Sequence, residues 1–342
     1  MPEDHVGDVL SWGCALQEPA VASPALGAVL AVLASLIIAA NVLVAITLLC
    51  LIHKSGSKGL YFVLNLAVAD TMVGFTVVGL VVDEFSQPFY PPQIFCVLRM
   101  AFVTSSSAAS VLSLILVACD RHLAIRRPFH YVQLVTGLWV GVRLVGLWLV
   151  AALIGFLPVL APAFQRDIPQ GKKCSFFAVF HPAYMLTVFC AGFFPALCLF
   201  IYLYCDMLKI ASLHAQHIRG VGLAGGCPPA RALKAMRTVA VLVGCFTLSW
   251  LPFFIGSVVQ TVCLECFPYR VIESYLWLLG LGNSLLNPLL YSYWQKDVRE
   301  QLSQLAAGVK RRVLLLLLGS GRRFPGRDTK PLPTVSCLRL QD

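Results

Sequence analysis

Charge is what this sequence has least of: Asp, Glu, Lys and Arg make up 12% of its 342 residues, whereas 58% are hydrophobic. A soluble domain carries about 25% charged residues. The scarcity is concentrated in runs: 25–52, 100–119, 144–165, 238–264 and 275–293 are uncharged, 176–205 contains only His181, and 59–82 is broken by Asp70 alone. Crossing a bilayer as helix takes about 20 residues, so seven spans are expected. Soluble enzyme folds, disordered chains and nucleic-acid binders are excluded. So is a transmembrane barrel, whose strands are segments of about 10 alternating residues.

Other absences narrow the chemistry. No phosphate loop or nucleophile elbow is present. His5, His53, His122, His130, His181, His214 and His217 lie at span ends or in loops, so none joins Asp70 at mid-membrane as a metal hydrolase requires. His214 and His217 share a helix face, but two ligands alone read as solvated surface. The sequence is not that of an enzyme. Asn41, Asn65, Asn283 and Asn287 form no N-x-S/T sequon, so no N-linked glycan is expected. With one deep carboxylate, no gating-charge series and no visible internal repeat, a channel or transporter is the weaker reading.

The basic residues that remain are sorted by loop. Counting alternate loops, 21 of the 26 Lys and Arg fall on one side, leaving Arg99, Arg166, Lys172, Lys173 and Arg270 on the other. The positive-inside rule then puts the N-terminus outside and the tail in the cytoplasm, with the plasma membrane as destination. Residues 1–24 lack both a basic start and an apolar run, so the first span is expected to act as its own insertion signal.

Thirteen cysteines divide the same way, with Cys14, Cys96, Cys174, Cys263 and Cys266 on the oxidising face. Cys96 begins the third span and Cys174 precedes the fifth. Joining them would hold the intervening loop over the helix mouth, a closure worth about 4 kcal/mol in the chain-entropy model. Cys263 and Cys266 read as a small local disulfide rather than zinc ligands, since further ligands are not nearby. Cys14 is then left over.

Polar residues inside the spans are few, and each costs up to ~3 kcal/mol at mid-helix. Asp70 is the one deep carboxylate, and Asn41, Ser110, Asn283, Ser284 and Asn287 fall at similar depth when the helix ends are aligned. The set reads equally as a structural hydrogen-bond network and as an oxygen cage for Na⁺. After the last span, Val298, Leu302, Leu305 and Val309 have the spacing of an amphipathic helix lying on the inner leaflet. Leu314 to Leu318 is too short to span and reads as an added interfacial contact or the hinge to a disordered tail.

From Gly27 to Gln304 the chain resembles the rhodopsin-like (class A) G-protein-coupled receptors. The resemblance rests on Asn41, L-A-V-A-D ending at Asp70, Cys96, Asp120-Arg121-His122, Trp148, Pro195, S-W-L-P at 249–252 and N-P-L-L-Y at 287–291, in that order. It implies an all-α seven-transmembrane bundle with an amphipathic eighth helix at the inner membrane surface. Residues 1–24 would be the extracellular N-terminus, 25–294 the receptor domain, 295–309 the interfacial helix and 310–342 the cytoplasmic tail. It also implies a heterotrimeric G protein as partner and a switch built from Asp120, Arg121, Pro195, Val111, Phe246, Trp250, Pro252, Asn287, Pro288 and Tyr291. Val111 and Phe246 would pack beside Pro195, although plain packing explains both equally. Asp70, Ser110, Asn283 and Asn287 match the family's sodium pocket; no other cofactor is implied.

Within the family, M-A-F-V-T-S-S at 100–106, C-S-F-F-A-V-F-H-P at 174–182, C-D-M-L-K-I-A-S at 205–212 and Y-L-W-L-L-G at 275–280 are similar to receptors for fatty-acid ethanolamides and lysophospholipids. The N-terminus and the tail are not. That likeness implies an amphipathic lipid ligand, coupling to the stimulatory G protein and a rise in cyclic AMP. Pocket positions agree. Val103 stands where amine receptors carry the aspartate that pairs with ammonium, and Leu281 where opsins carry the Schiff-base lysine. The expected cavity is lined by Val103, Thr104, Ser107, Phe176, Phe177, Trp250, Phe253, Phe254 and Trp277, an apolar and aromatic set suited to an acyl chain. Arg99 and Glu273 are its nearby ions, either contacting a headgroup or forming a rim salt bridge of little worth. Another lipid or a sterol, with different coupling, remains the alternative.

Three departures bear on signalling. Ala232 stands where many relatives carry an acid that holds the helix-three arginine, with Arg231, Lys234 and Arg237 around it. His122 replaces a tyrosine, and Leu203 replaces another that would bridge to Tyr291. The first departure predicts appreciable signalling without ligand.

Overall fold

The computed structural model describes residues 24–85, 92–167, 174, 176–220, 230–263 and 271–319. The first three spans are α1 (Pro24–Ser55), α2 (Leu60–Phe85) and α3 (Gln93–Arg126). A short helix, α4 (Pro128–Leu134), leads to the fourth span, α5 (Gly137–Leu160). After α6 (Phe176–Val179), the fifth span is assembled from α7 (Pro182–Val188), a π-helical turn at Phe189–Phe193 and α8 (Phe194–Gly220). The sixth is α9 (Ala230–Val262). The seventh is α10 (Trp277–Trp294), extended outward by a second π turn at Ile272–Leu276, and α11 (Lys296–Gly319) follows. These helices form the seven-membered bundle, and six of them are long and apolar enough to cross a membrane unaided.

The helices are apolar on every side because their outer faces meet lipid. In α1 the stripe Leu30, Ala34, Ile37, Asn41, Val44 and Leu48 turns inward at three- and four-residue intervals. Val29, Val32, Leu36 and Leu43 remain exposed on the opposite side. With hydrocarbon outside, association depends on close packing and interhelical hydrogen bonds. At Gly155 of the fourth span, a Cβ would lie 2.6 Å from the Ser105 Cβ, so only glycine lets the third and fourth spans approach this closely.

Proline shapes the bundle where function is expected. Pro252 lies inside the sixth span and Pro288 inside the seventh. Each removes a backbone donor and weakens the helix locally. Pro195 follows directly on the π turn of the fifth span, a place where the helical ladder is already interrupted.

On the outer side, Cys96 and Cys174 are disulfide-bonded with their Cα atoms 5.7 Å apart. The chain beyond Cys174 is fastened further by Arg166 N–H to Val179 O and His181 N–H to Phe164 O, both 2.7 Å. Cys263 is disulfide-bonded as well; Cys266 and Cys14 lie outside the described residues. On the inner side, α11 packs Val298 into the bundle, and Lys54 Nζ donates to Gln301 Oε1 at 2.7 Å, joining it to α1. It runs on through Leu314–Leu318 to Gly319 instead of ending at Val309, because nothing between those positions breaks a helix.

Candidate functional site

Asp70 stands at the centre of the bundle with no solvent exposure. Its carboxylate accepts from Ser110 Oγ at 2.6 Å and Asn287 Nδ2 at 2.8 Å, which ties the second, third and seventh spans together. Asn41 Nδ2 donates to the carbonyl of Ser284 at 2.9 Å, adding the first span. Ser284 adds a further side-chain hydrogen bond to the same Asp70 carboxylate. The Oδ1 atoms of Asn283 and Asn287 and the Tyr291 hydroxyl are buried with no hydrogen-bond partner among the described residues. Unpaired amide oxygens on the span that donates to Asp70 fit a small hard cation, because each would otherwise lose its hydration without replacement.

Towards the outer side, the expected ligand-binding residues converge, but as a packed aromatic cluster. Trp250 contacts Phe253 at 5.9 Å, Phe254 at 5.7 Å and Trp277 at 5.9 Å between ring centroids. Phe253 also meets Trp277 at 5.4 Å, and Phe193 stacks on Phe254 at 4.0 Å. Phe176 and Phe177 lie edge-to-face at 5.8 Å. Val103 and Thr104 are buried, and the Thr104 hydroxyl is taken by the Met100 carbonyl at 2.8 Å. The Ser107 hydroxyl is buried without a partner among the described residues. The rings expected to line the cavity thus touch one another between the sixth and seventh spans. A small void lies deeper, below Phe246, bounded by Leu114, Val117, Ala118, Phe200, Leu242 and Val243. Arg99 reaches the Gly79 carbonyl at 3.4 Å, while the Glu273 side chain lies outside the described residues.

Trp250 forms the floor of the cluster and rests on the seventh span where that helix has no side chain. A Cβ on Gly280 would lie 2.7 Å from two carbons of the indole. One helical turn inward, Phe246 is fully buried against Phe193 at 5.5 Å and Phe200 at 5.3 Å. Val111 packs against the same core, whereas Pro195 is exposed. The rings found beside Phe246 are thus two phenylalanines of the fifth span, which the motif had not singled out.

At the cytoplasmic end, Asp120 is buried and holds Arg121, with Nε at 2.9 Å and a second, shorter contact from the guanidinium. Tyr131 of α4 donates to the other Asp120 oxygen at 2.8 Å. Burial, reinforced by that carboxylate, pushes the Tyr131 phenol up to about 12. The inner end of the third span therefore satisfies Arg121 locally. Leu203 is buried, and the side chain at Ala232 lies outside the described residues.

Two constellations were not legible in the motifs. Trp148 Nε1 donates to Asn65 Oδ1 at 2.9 Å, and Asn65 Nδ2 donates to Ser113 Oγ at 2.7 Å, linking the fourth, second and third spans. Asp206 accepts from His122 Nε2 at 2.7 Å and from Arg126 at 3.0 Å, joining the fifth span to the third. A usable signal was present for the second: Asp206 is the sole acid between residues 176 and 230.

Comparison with known proteins places this geometry. Residues 40–291 match the model of the 7 transmembrane receptor (rhodopsin family). The chain is 55% identical over 310 residues to the human glucose-dependent insulinotropic receptor, covering 88% of this chain and 92% of that protein. It is 55% identical over 291 residues to the Rattus norvegicus protein of the same name, covering 83% of this chain and 62% of that one, under two thirds of its length. The 5-hydroxytryptamine receptor 4 of Rattus norvegicus is 28% identical over 265 residues, 70% of this chain and 65% of that receptor.

Proposed function

The chain belongs to the rhodopsin family of seven-transmembrane receptors, and from that premise we propose that it senses an amphipathic lipid, a fatty-acid ethanolamide or a lysophospholipid, at the plasma membrane. It then activates the stimulatory G protein and raises cyclic AMP. The family makes a heterotrimeric G protein its partner; the ligand and the class of G protein are this reading's own additions. The observation that carries the ligand is the composition of the outer aromatic cluster. Val103 supplies no counter-ion for an ammonium, Trp250, Phe253, Phe254 and Trp277 supply apolar surface, and the unpaired Ser107 hydroxyl supplies one polar contact. An acyl chain can replace ring-to-ring contacts with chain-to-ring contacts at little loss, and an amide or ester head can satisfy the hydroxyl.

In this reading the N-terminus is extracellular and the tail cytoplasmic, in keeping with the loop distribution of 21 of the 26 basic residues. A sodium ion held by Asp70, Ser110, Asn283 and Asn287 favours the resting state, and receptor without ligand signals measurably. The test is cyclic AMP in cells expressing the chain, with and without oleoylethanolamide. A dose-dependent rise at constant surface expression is expected. No response to any lipid amide or lysolipid would overturn the ligand assignment, and a response through another G protein would overturn the coupling.

A further inference from the structure

The third span ends in two adjacent polar clusters, each organised by one carboxylate. Asp120 gathers Arg121 and Tyr131. Asp206, reaching across from the fifth span, gathers His122 and Arg126 through the same oxygen, at 2.7 and 3.0 Å. His122 and Arg126 are four residues apart and therefore share one face of the helix. Arg121, about 100° round, is turned towards Asp120 instead. The His122 side chain is 13% exposed and that of Asp206 23%, so the contact sits at the rim of the bundle and not out in solvent. Lys209, nearly one turn further along the fifth span, adds a favourable charge beside Asp206.

We propose that Asp206 is the cytoplasmic restraint of this receptor, tying the third span to the fifth in the resting arrangement. The inference rests on the receptor reading above. At position 232 the sixth span carries a methyl group, which cannot hold Arg121 electrostatically. Leu203, one turn before Asp206, has no polar group with which to bind the third span. Among the described residues, the polar tie across this end of the third and fifth spans is the one made by Asp206. It is present in the same conformation in which Arg121 is folded onto Asp120. Offering Arg121 and the inner end of the fifth span to a G protein requires the two spans to shift, and that shift breaks or remakes the Asp206 contacts. A contact made in one of two states stabilises that state by its full differential strength. Losing it shifts the population towards the other state.

The experiment uses full-length receptor in lipid nanodiscs, as wild type, Asp206→Asn, His122→Phe and the double variant. Ligand-free nucleotide exchange is measured on each of the four classes of Gα subunit. Asp206→Asn is expected to raise exchange about two- to fivefold, the range a partly exposed charge pair supports. His122→Phe should raise it in the same direction, and the double variant should add little to the larger single effect. Exchange that Asp206→Asn leaves unchanged or lowers in every class overturns the restraint. A rise confined to a class other than the stimulatory one refutes the proposed coupling and leaves the restraint standing. Thermal unfolding of the same four proteins, which involves neither ligand nor G protein, checks the contact itself. Non-additive shifts are expected, and strictly additive shifts overturn it.

Discussion

Gly280→Ala asks whether Trp250 is held as closely as the structure places it. The added carbon would stand 2.7 Å from indole Cε3 and Cζ3 and 3.0 Å from Cη2. Carbon atoms rest comfortably at about 3.5–4.0 Å, so the ring or the helix has to give by roughly 1 Å. The ring has little freedom to do so, with Phe253, Phe254 and Trp277 at centroid distances of 5.9, 5.7 and 5.9 Å on its other sides. Overpacking of this kind costs about 1–3 kcal/mol. Replacing a helical glycine by alanine returns about 0.5–1 kcal/mol. The net expectation is a loss of up to about 2.5 kcal/mol. Gly282, two residues along the same helix, is the control, because a Cβ there meets nothing within 4 Å. Gly282→Ala should therefore stabilise by about 0.5–1 kcal/mol. Thermal unfolding of purified full-length receptor reads both, and the two melting temperatures should move in opposite directions. Trp250→Phe in the Gly280→Ala background removes the colliding part of the indole and should recover at least ~1 kcal/mol as coupling. If both alanines shift stability in the same direction, or the two mutations combine additively, the close approach of Trp250 to Gly280 is refuted.

Three further outcomes are expected. Asp70→Asn keeps size and hydrogen bonding but removes the charge that attracts Na⁺, so sodium sensitivity of agonist affinity should vanish; wild-type affinity indifferent to sodium between low and physiological concentration would leave the packing explanation alone. Phe253→Ala, at ~3–5 kcal/mol of lost packing for a buried ring, and Trp277→Ala, at less because the indole is half-buried, each open the aromatic cluster and should lower lipid potency at matched surface expression; unchanged potency would move the ligand elsewhere. Ala232→Glu puts an acid where many relatives carry one and should lower ligand-free cyclic AMP across a gene-dose series in delipidated medium, and a basal signal it leaves undiminished at equal expression would remove the argument from the missing acid.

What the sequence determined by itself is what depends on local composition. Span number follows from uncharged run length, because a helix crossing hydrocarbon tolerates few charges wherever its neighbours stand. Asp70 with its asparagines could be singled out because a polar residue in such a run is costly enough to require partners. The pairing of Cys96 with Cys174 was legible once the oxidising side had been assigned. Which residues touch across helices was not legible in the same way. These spans are apolar all round, so periodicity does not reveal their rotation, and Leu36 on the lipid side looks like Ile37 on the core side. Rotation and depth were decided only in the folded bundle. They bring Asn65 between Trp148 and Ser113, set Gly280 under Trp250, and carry Asp206 to His122 across 84 residues of chain. The aromatic residues were predicted as the walls of a cavity and are found packed on one another, since rings left unfilled would forfeit their dispersion contacts. The run of α11 to Gly319 was missed for the opposite reason: its leucines were judged by span length, while the backbone met nothing there to end a helix.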